Sequence, residues 1–363
     1  MADGMLWTFE RIYVLLITLC FSYSNVITET AVENEELNFL VVGDWGGQPH
    51  YPYSSRIQRA VAKQLGKVAD EVNSQFVISV GDNIYFRGVR NVEDVRFKET
   101  FEDVFTHDAL QTPWYVIPGN HDHRGNISAQ ILYTHRKDTS GRWYMPDHNY
   151  TITVPIGNGA GNLTLIMLDT IVLCGNTGTH YEGEPPLGPA DPKKADAMWQ
   201  WIEETLKSAN RSTYVVVAGH FPTYSIGYHG PTTCLRDRLH PLLHIYKVNA
   251  YLCGHDHNLQ DLSVTDHNWT VNYFVIGFGA LVNHDRHNAP HVPHNSSKFF
   301  WSDMQSLGGF GLIQVTLNSM NVTIMDSLGK DLHHVTIFPR VSRSFEEDPK
   351  EEIIRIPQDW PIM

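Results

Sequence analysis

Five apolar runs ending in glycine or a small residue lead into side chains able to hold a hard cation. "NFLVVGDWGG" carries Asp44, and "QFVISVGDN" carries Asp82, with Tyr85 three positions further on. "WYVIPGNHD" carries Asn120, "TYVVVAGH" carries His220, and "AYLCGHDH" carries His255 and His257. Carboxylate, amide, imidazole and phenol donors without a thiolate suit hard to borderline first-row ions rather than a structural zinc site. The set is too large for one ion. It fits two ions sharing a carboxylate, an arrangement that serves phosphoryl-transfer hydrolysis. Tyr85 is the unusual member, because a turn uses Gly, Asp and Asn for conformational reasons and has no need of a phenol.

The elements that position these donors follow from periodicity. Near-continuous apolar runs read as strands buried on both faces. Between the first two runs, Ile57, Val61, Leu65, Val68 and Val72 repeat at helical spacing. A right-handed strand–helix–strand crossover puts both strand ends on one edge of a parallel sheet, where open α/β sheets place their sites. Asp44 and Asp82 are thereby expected to meet. A second helix is expected over Ala195 to Ser208, with Trp199, Ile202 and Leu206 on one face. In the last third, "VNYFVIGFGA", "GFGLIQVTL", "NVTIMD" and "HHVTIFP" read as antiparallel strands. The expected fold is α/β, with two stacked mixed sheets flanked by helices in a single domain over 25–342.

The ordered set GDWG, GDNxxY, GNHDH, VxGH and GHDH resembles the purple acid phosphatases of the calcineurin-like metallophosphoesterase superfamily, and most of all their small, animal-type, tartrate-resistant form. The similarity runs from about Leu37 to about Thr336 and includes "RFKETFEDVF" and "SLGGF". It implies a four-layer α-β-β-α sandwich. Most of the superfamily carries Asp-x-His at the first motif; here that third residue is Gly46, and Tyr85 supplies the replacement donor. By resemblance, Asp44, Tyr85 and His257 hold Fe(III), and Asp82 bridges. Asn120, His220 and His255 hold a divalent partner, Fe(II) or Zn, with Mn in some relatives. His121 and His229 then line the substrate pocket as catalytic residues. The implied reaction is in-line hydrolysis of phosphate monoesters at acidic pH by a metal-activated hydroxide, with a histidine protonating the leaving alkoxide. Two alternatives stay open: a phosphodiesterase or nucleotide hydrolase using the same ions, and an iron-binding redox glycoprotein.

Composition bounds the partners. The 363 residues carry 27 basic and 40 acidic side chains, a net charge of −13. That balance argues against nucleic acid, whose phosphates demand a basic footprint, while local cations still admit small phosphorylated substrates or phosphoproteins. Arg11 followed by "IYVLLITLCF" and "SYSN" reads as a secretory signal peptide over 1–24, with a signal anchor as the alternative. No later stretch reaches membrane-spanning length. Asparagine sequons at 126, 149, 162, 210, 268, 295 and 321 suggest a secreted or lysosomal glycoprotein. Once Cys20 leaves with the leader, Cys174 and Cys234 are expected to pair, leaving Cys253 as a buried thiol in an apolar run. "TGTHYEGEPPLGPADPKK" is expected as a surface loop over 177–194, where resemblance suggests control by proteolysis near Lys193 or Lys194. The histidines at 284, 287, 291 and 294 read as an exposed loop, and 343–363 as an acidic mobile tail. Oligomerisation has no visible signature, so a monomer is expected.

Overall fold

In LNFLVV, the first strand, alternate side chains leave on opposite faces. Phe39 and Val41 enter the layer between two sheets, and Leu40 and Val42 pack under a helix. The computed structural model describes residues 36–175, 188–303 and 305–340. Its strands are β1 (Leu37–Val42), β2 (Phe76–Ser79), β3 (Trp114–Val116), β4 (Trp143–Tyr144), β5 (Asn149–Ile156), β6 (Gly161–Leu168) and β7 (Tyr214–Gly219). They continue as β8 (Ala250–Cys253), β9 (Leu259–Asp266), β10 (Trp269–Ile276), β11 (Ser297–Trp301), β12 (Gly309–Val315), β13 (Met320–Asp326) and β14 (Asp331–Ile337). Two seven-stranded sheets result, ordered β14-β13-β12-β1-β2-β3-β4 and β11-β9-β10-β8-β7-β6-β5.

Their shared core is built from facing residues such as Phe39 and Ile78 of one sheet and Leu165, Val216 and Phe274 of the other. Helix α1 (Arg56–Glu71) covers the first sheet through Val61, Leu65 and Val68, with Ser55 capping the Gln58 amide at 3.0 Å. Short helices α2 (Asn120–His123), α3 (Ile127–Tyr133) and α4 (Thr170–Cys174) follow. Helices α5 (Pro192–Ser208) and α6 (Thr233–Ile245) cover the second sheet through Trp199, Ile202, Leu239 and Leu243. This is the α-β-β-α sandwich anticipated from the run of elements.

Register decides where the strands deliver their loops. Val42 lies opposite Ser79, and Ser79 opposite Val116, in parallel pairs. Asp44, Asp82 and Asn120 therefore leave the same edge within a few residues of their strands. In the second sheet β7 and β8 are parallel, with Ala218 opposite Leu252, so His220 and His255 leave together too. Antiparallel β12, β13 and β14 complete the first sheet as the alternation of the last third implies.

Two elements depart from expectation. Helix α5 starts at Pro192 rather than Ala195, because the Asp191 carboxylate accepts from the Lys193 and Lys194 amides at 3.0 and 3.1 Å and proline is tolerated in a first turn. Lys193 and Lys194 are thus helical and not part of a loop. Residues 177–187 of that loop lie outside the described residues, as do the expected leader (1–24) and tail (343–363). None of the seven sequon asparagines is buried. Among the described residues no helix is long and apolar enough to cross a membrane.

Cys174, closing α4, is bonded to Cys234 in the first turn of α6 across a sequence separation of 60, and Cys253 is a buried thiol in β8. A loop of that size confers about 4 kcal/mol by chain entropy. Replacing both bonded cysteines with serine should lower the unfolding free energy by about that amount in a denaturant titration; an unmoved midpoint would count against it.

Candidate metal centre

The seven donors converge from both sheets. Tyr85 Oη lies 3.1 Å from Asp44 Oδ1 and 3.2 Å from His257 Nε2, which is itself 3.5 Å from Asp44 Oδ1. Beside this triad, His220 Nε2 lies 3.0 Å from Asn120 Oδ1 and 3.5 Å from Asp82 Oδ1. The His255 ring packs 5.0 Å from that of His220, centroid to centroid. Donor atoms of Asp44, Asp82 and His257 all fall within 4.8 Å of one another, which places Asp82 between the two groups.

Backbone geometry makes this convergence. Asp44, Asp82 and His255 adopt the left-handed region, with φ of 56°, 51° and 69°, a conformation that costs a non-glycine residue free energy unless its surroundings fix it. Two glycines allow the loops to close. A Cβ on Gly119 would lie 2.1 Å from Asp82 Oδ1, and one on Gly254 would lie 2.2 Å from Asp44 Oδ2. Each carboxylate also accepts from an amide of a facing loop. Asp82 Oδ1 takes the His121 N–H and Asp44 Oδ2 the His255 N–H, both at 2.9 Å.

The proton inventory shows that cations fit. His220 Nδ1 lies 2.9 Å from the Val80 carbonyl, an acceptor, so that nitrogen carries the ring proton and Nε2 a lone pair. That lone pair meets the amide oxygen of Asn120, and no hydrogen bond joins two acceptors. Burial and the rings of His229 and His220 push the His255 pKa far below the ordinary histidine range, leaving a neutral imidazole able to donate a lone pair. Burial opposes a charged His257, yet the Asp44 carboxylate raises its pKa. Burial would raise Asp82, but the His220 and His121 rings hold it lower. Burial and the carboxylates of Asp44 and Asp82 push the Tyr85 phenol far up, so a phenolate there requires a positive partner.

The two pocket histidines flank the cluster. His121 Nε2 lies 3.9 Å from Asp82 Oδ2, and its ring stands edge-on to Tyr85 at 4.9 Å. His229 stacks on His255 at 3.9 Å. Both His229 and His255 line a cavity of about 280 Å³ with Phe221, Thr232, Arg236 and His291.

A family model described as calcineurin-like phosphoesterase matches residues 37–259. The sequence is 42% identical to the tartrate-resistant acid phosphatase type 5 of Oryctolagus cuniculus over 326 residues, covering 90% of this chain and 96% of that one. It is also 42% identical to the Homo sapiens protein of the same name over 308 residues, covering 85% and 92%. The chain belongs to the calcineurin-like phosphoesterases, among the tartrate-resistant acid phosphatases. A binuclear metal centre follows from that membership. A solved structure of GAP50, titled the anchor in the inner membrane complex of Plasmodium, superposes with a TM-score of 0.70 at 23% identity, covering 85% of this chain and 90% of that one. That likeness concerns the fold alone.

The phosphoesterase centre also depends on residues that the motifs do not single out as donors. Asp122 is buried, and its carboxylate accepts from Gly119 N, Asn83 N, Asn83 Nδ2, Ile84 N and Gln130 Nε2 at 2.9–3.2 Å. It ties the Asp82 loop to the Asn120 loop, and burial together with Asp82 raises its pKa to about 6. Arg96 donates to the carbonyls of Tyr85 and Gly46 at 2.7 and 2.9 Å, clamping the phenol's segment to the first loop. Asp256 accepts from Ser225 Oγ and, at 2.8 Å, from His229 N. A signal for Asp122 and Asp256 was available, since each is the aspartate inside a ligand motif. Arg96 opens "RFKETFEDVF" and announces nothing by spacing.

Replacing Asp122 with alanine strands several buried donors at once. The variant should lose at least about 3 kcal/mol of stability and bind metal less tightly, readable by thermal melting and metal analysis. Wild-type melting together with full metal content would refute this role.

Proposed function

We propose that this chain is a secreted or lysosomal acid phosphatase that hydrolyses phosphate monoesters at a binuclear pair of one trivalent and one divalent metal. The observation that carries the reading is the meeting of lone pairs at Tyr85, Asp44 and His257 on one side of Asp82, and at Asn120 and His220 on the other. Asp44, Tyr85 and His257 would hold Fe(III), since a hard anionic phenolate favours a trivalent ion. Asp82 would be shared between the two ions, and Asn120, His220 and His255 would hold a divalent partner, Fe(II), Zn or Mn. When bound, the pair neutralises phosphate charge and makes a water acidic enough to serve as nucleophile at low pH.

The chain's own residues supply orientation and protons. His121 lies against Asp82 and Tyr85 and His229 against His255, so either could protonate the alkoxide leaving a bound ester. His229 is fixed by its stack on His255 and by the Asp256 carboxylate on its backbone amide. The small cavity suits one phosphoryl group and the start of its leaving group, on a small compound or a phosphoprotein side chain. Accessible sequons and a disulfide fit an oxidising compartment. The enzyme is read as a monomer.

Purified protein should contain iron and show a visible phenolate-to-iron absorption band. Tyr85→Phe should abolish the band and cut activity sharply; an unchanged spectrum would eliminate the iron assignment. His229→Ala should slow alkyl phosphate hydrolysis about a hundredfold, and much less for p-nitrophenyl phosphate, whose leaving group needs no proton. Equal losses on both esters would remove its role as an acid. Assays of monoesters and diesters at pH 5 and pH 7 test substrate class: a preference for diesters would favour the phosphodiesterase reading.

A further inference from the structure

A second group of metal-capable side chains lies outside the binuclear centre. His123 ends α2, His148 precedes β5, and Asp169 follows β6. Their potential donor atoms all fall within 4.8 Å of one another. Asp169 Oδ2 lies 2.8 Å from His123 Nε2 and 2.6 Å from His148 Nδ1, so both rings converge on one oxygen. The other oxygen, Oδ1, lies 2.9 Å from His123 Nε2 and accepts from the Ile171 and Val172 amides at 3.1 Å, which fixes the carboxylate as the cap of α4. The Asp169 side chain is fully buried, whereas those of His123 and His148 are 10% and 20% exposed. Both rings line an open cavity of about 530 Å³ together with Asn126, Ser128 and Lys194.

We propose that His123, His148 and Asp169 form a further, mononuclear site for a divalent transition ion of the zinc class. Two imidazoles and one carboxylate, with a coordination position open to solvent, are the donor set of accessible zinc sites. Without an ion, both rings donate N–H to Asp169. To bind one, each neutral ring moves its proton to the far nitrogen, and the ion takes the vacated lone pairs. The far nitrogens, His123 Nδ1 and His148 Nε2, have no protein partner among the described residues, so nothing in the fold opposes that tautomer. The histidines at 284, 287 and 291 differ, each being occupied by a local partner: Ser302, Asp285 and Asn288 respectively.

An ion here would clip the two sheets together. His123 ends the short helix that follows β3 of the first sheet, while His148 immediately precedes β5 and Asp169 immediately follows β6 of the second. The same short helix begins with Asn120 and His121, so occupancy would stiffen one wall of the catalytic pocket.

The test uses the full protein with its binuclear centre filled. It is equilibrated with Zn(II), freed of loose metal by gel filtration and analysed for zinc, alongside His148→Ala and Asp169→Asn. Wild type should retain one equivalent beyond the pair and melt at a higher temperature with zinc, and His148→Ala should do neither. Asp169→Asn should match His148→Ala if it folds without its full helix cap; the decision rests on His148→Ala. Three results would overturn the proposal: no extra equivalent in wild type, an equal one in His148→Ala, or one lost only when His284, His287 and His291 are replaced. Phosphatase activity of His148→Ala before zinc addition should equal wild type, so failure here is distinguishable from failure of the phosphatase reading.

Discussion

Lone pairs that repel one another are held together in this protein, and much of the surrounding structure supplies the restraint. Two carboxylates, a phenol, an amide oxygen and three imidazoles point inward within a few ångströms. Buried charge of this kind is stable only when compensated. Part of the compensation is covalent geometry: left-handed backbone at Asp44, Asp82 and His255 aims side chains that ordinary strand ends would direct elsewhere. Part is hydrogen bonding, since backbone amides from facing loops donate into both carboxylates. The rest is packing. Because the donors come from two sheets, the apolar layer between those sheets sets their spacing, and a core residue such as Phe39 or Phe274 bears on the site without touching it.

The edge-of-sheet logic was legible in the sequence. Apolar runs ending in glycine marked β1, β2, β3, β7 and β8, and the spacing of Ile57, Val61, Leu65 and Val68 marked α1. Parallel strands linked by crossovers must deliver their loops to one edge, so Asp44 and Asp82 could be brought together before any coordinates. Pairing of Cys174 with Cys234 followed from the isolation of Cys253 in a buried run.

What sequence did not reveal is mostly long-range and polar. Asp122 reads as another possible donor beside Asn120, yet five hydrogen bonds from four residues make it the knot between two loops. Arg96 is distant from every motif, and only the fold shows that it grips Gly46 and Tyr85. Asp169 closes an apolar run like the metal-motif strands, but no neighbouring motif reveals that His123 and His148 reach it. Helix α6 has Leu235, Leu239 and Leu243 at helical spacing, yet Pro241 between them argues against a helix on local grounds. Burial of that leucine stripe against β10 and its neighbours outweighs the local penalty.

Gly46 constrains the path of the chain at the site. A Cβ there would lie 2.5 Å from the amide nitrogen of Tyr85 and 2.8 Å from that of Ile84, so any side chain at 46 and the present path of the tyrosine segment exclude one another. Admitting a side chain at 46 would mean rerouting the main chain at residues 84 and 85, a barrier of shape rather than of chemistry.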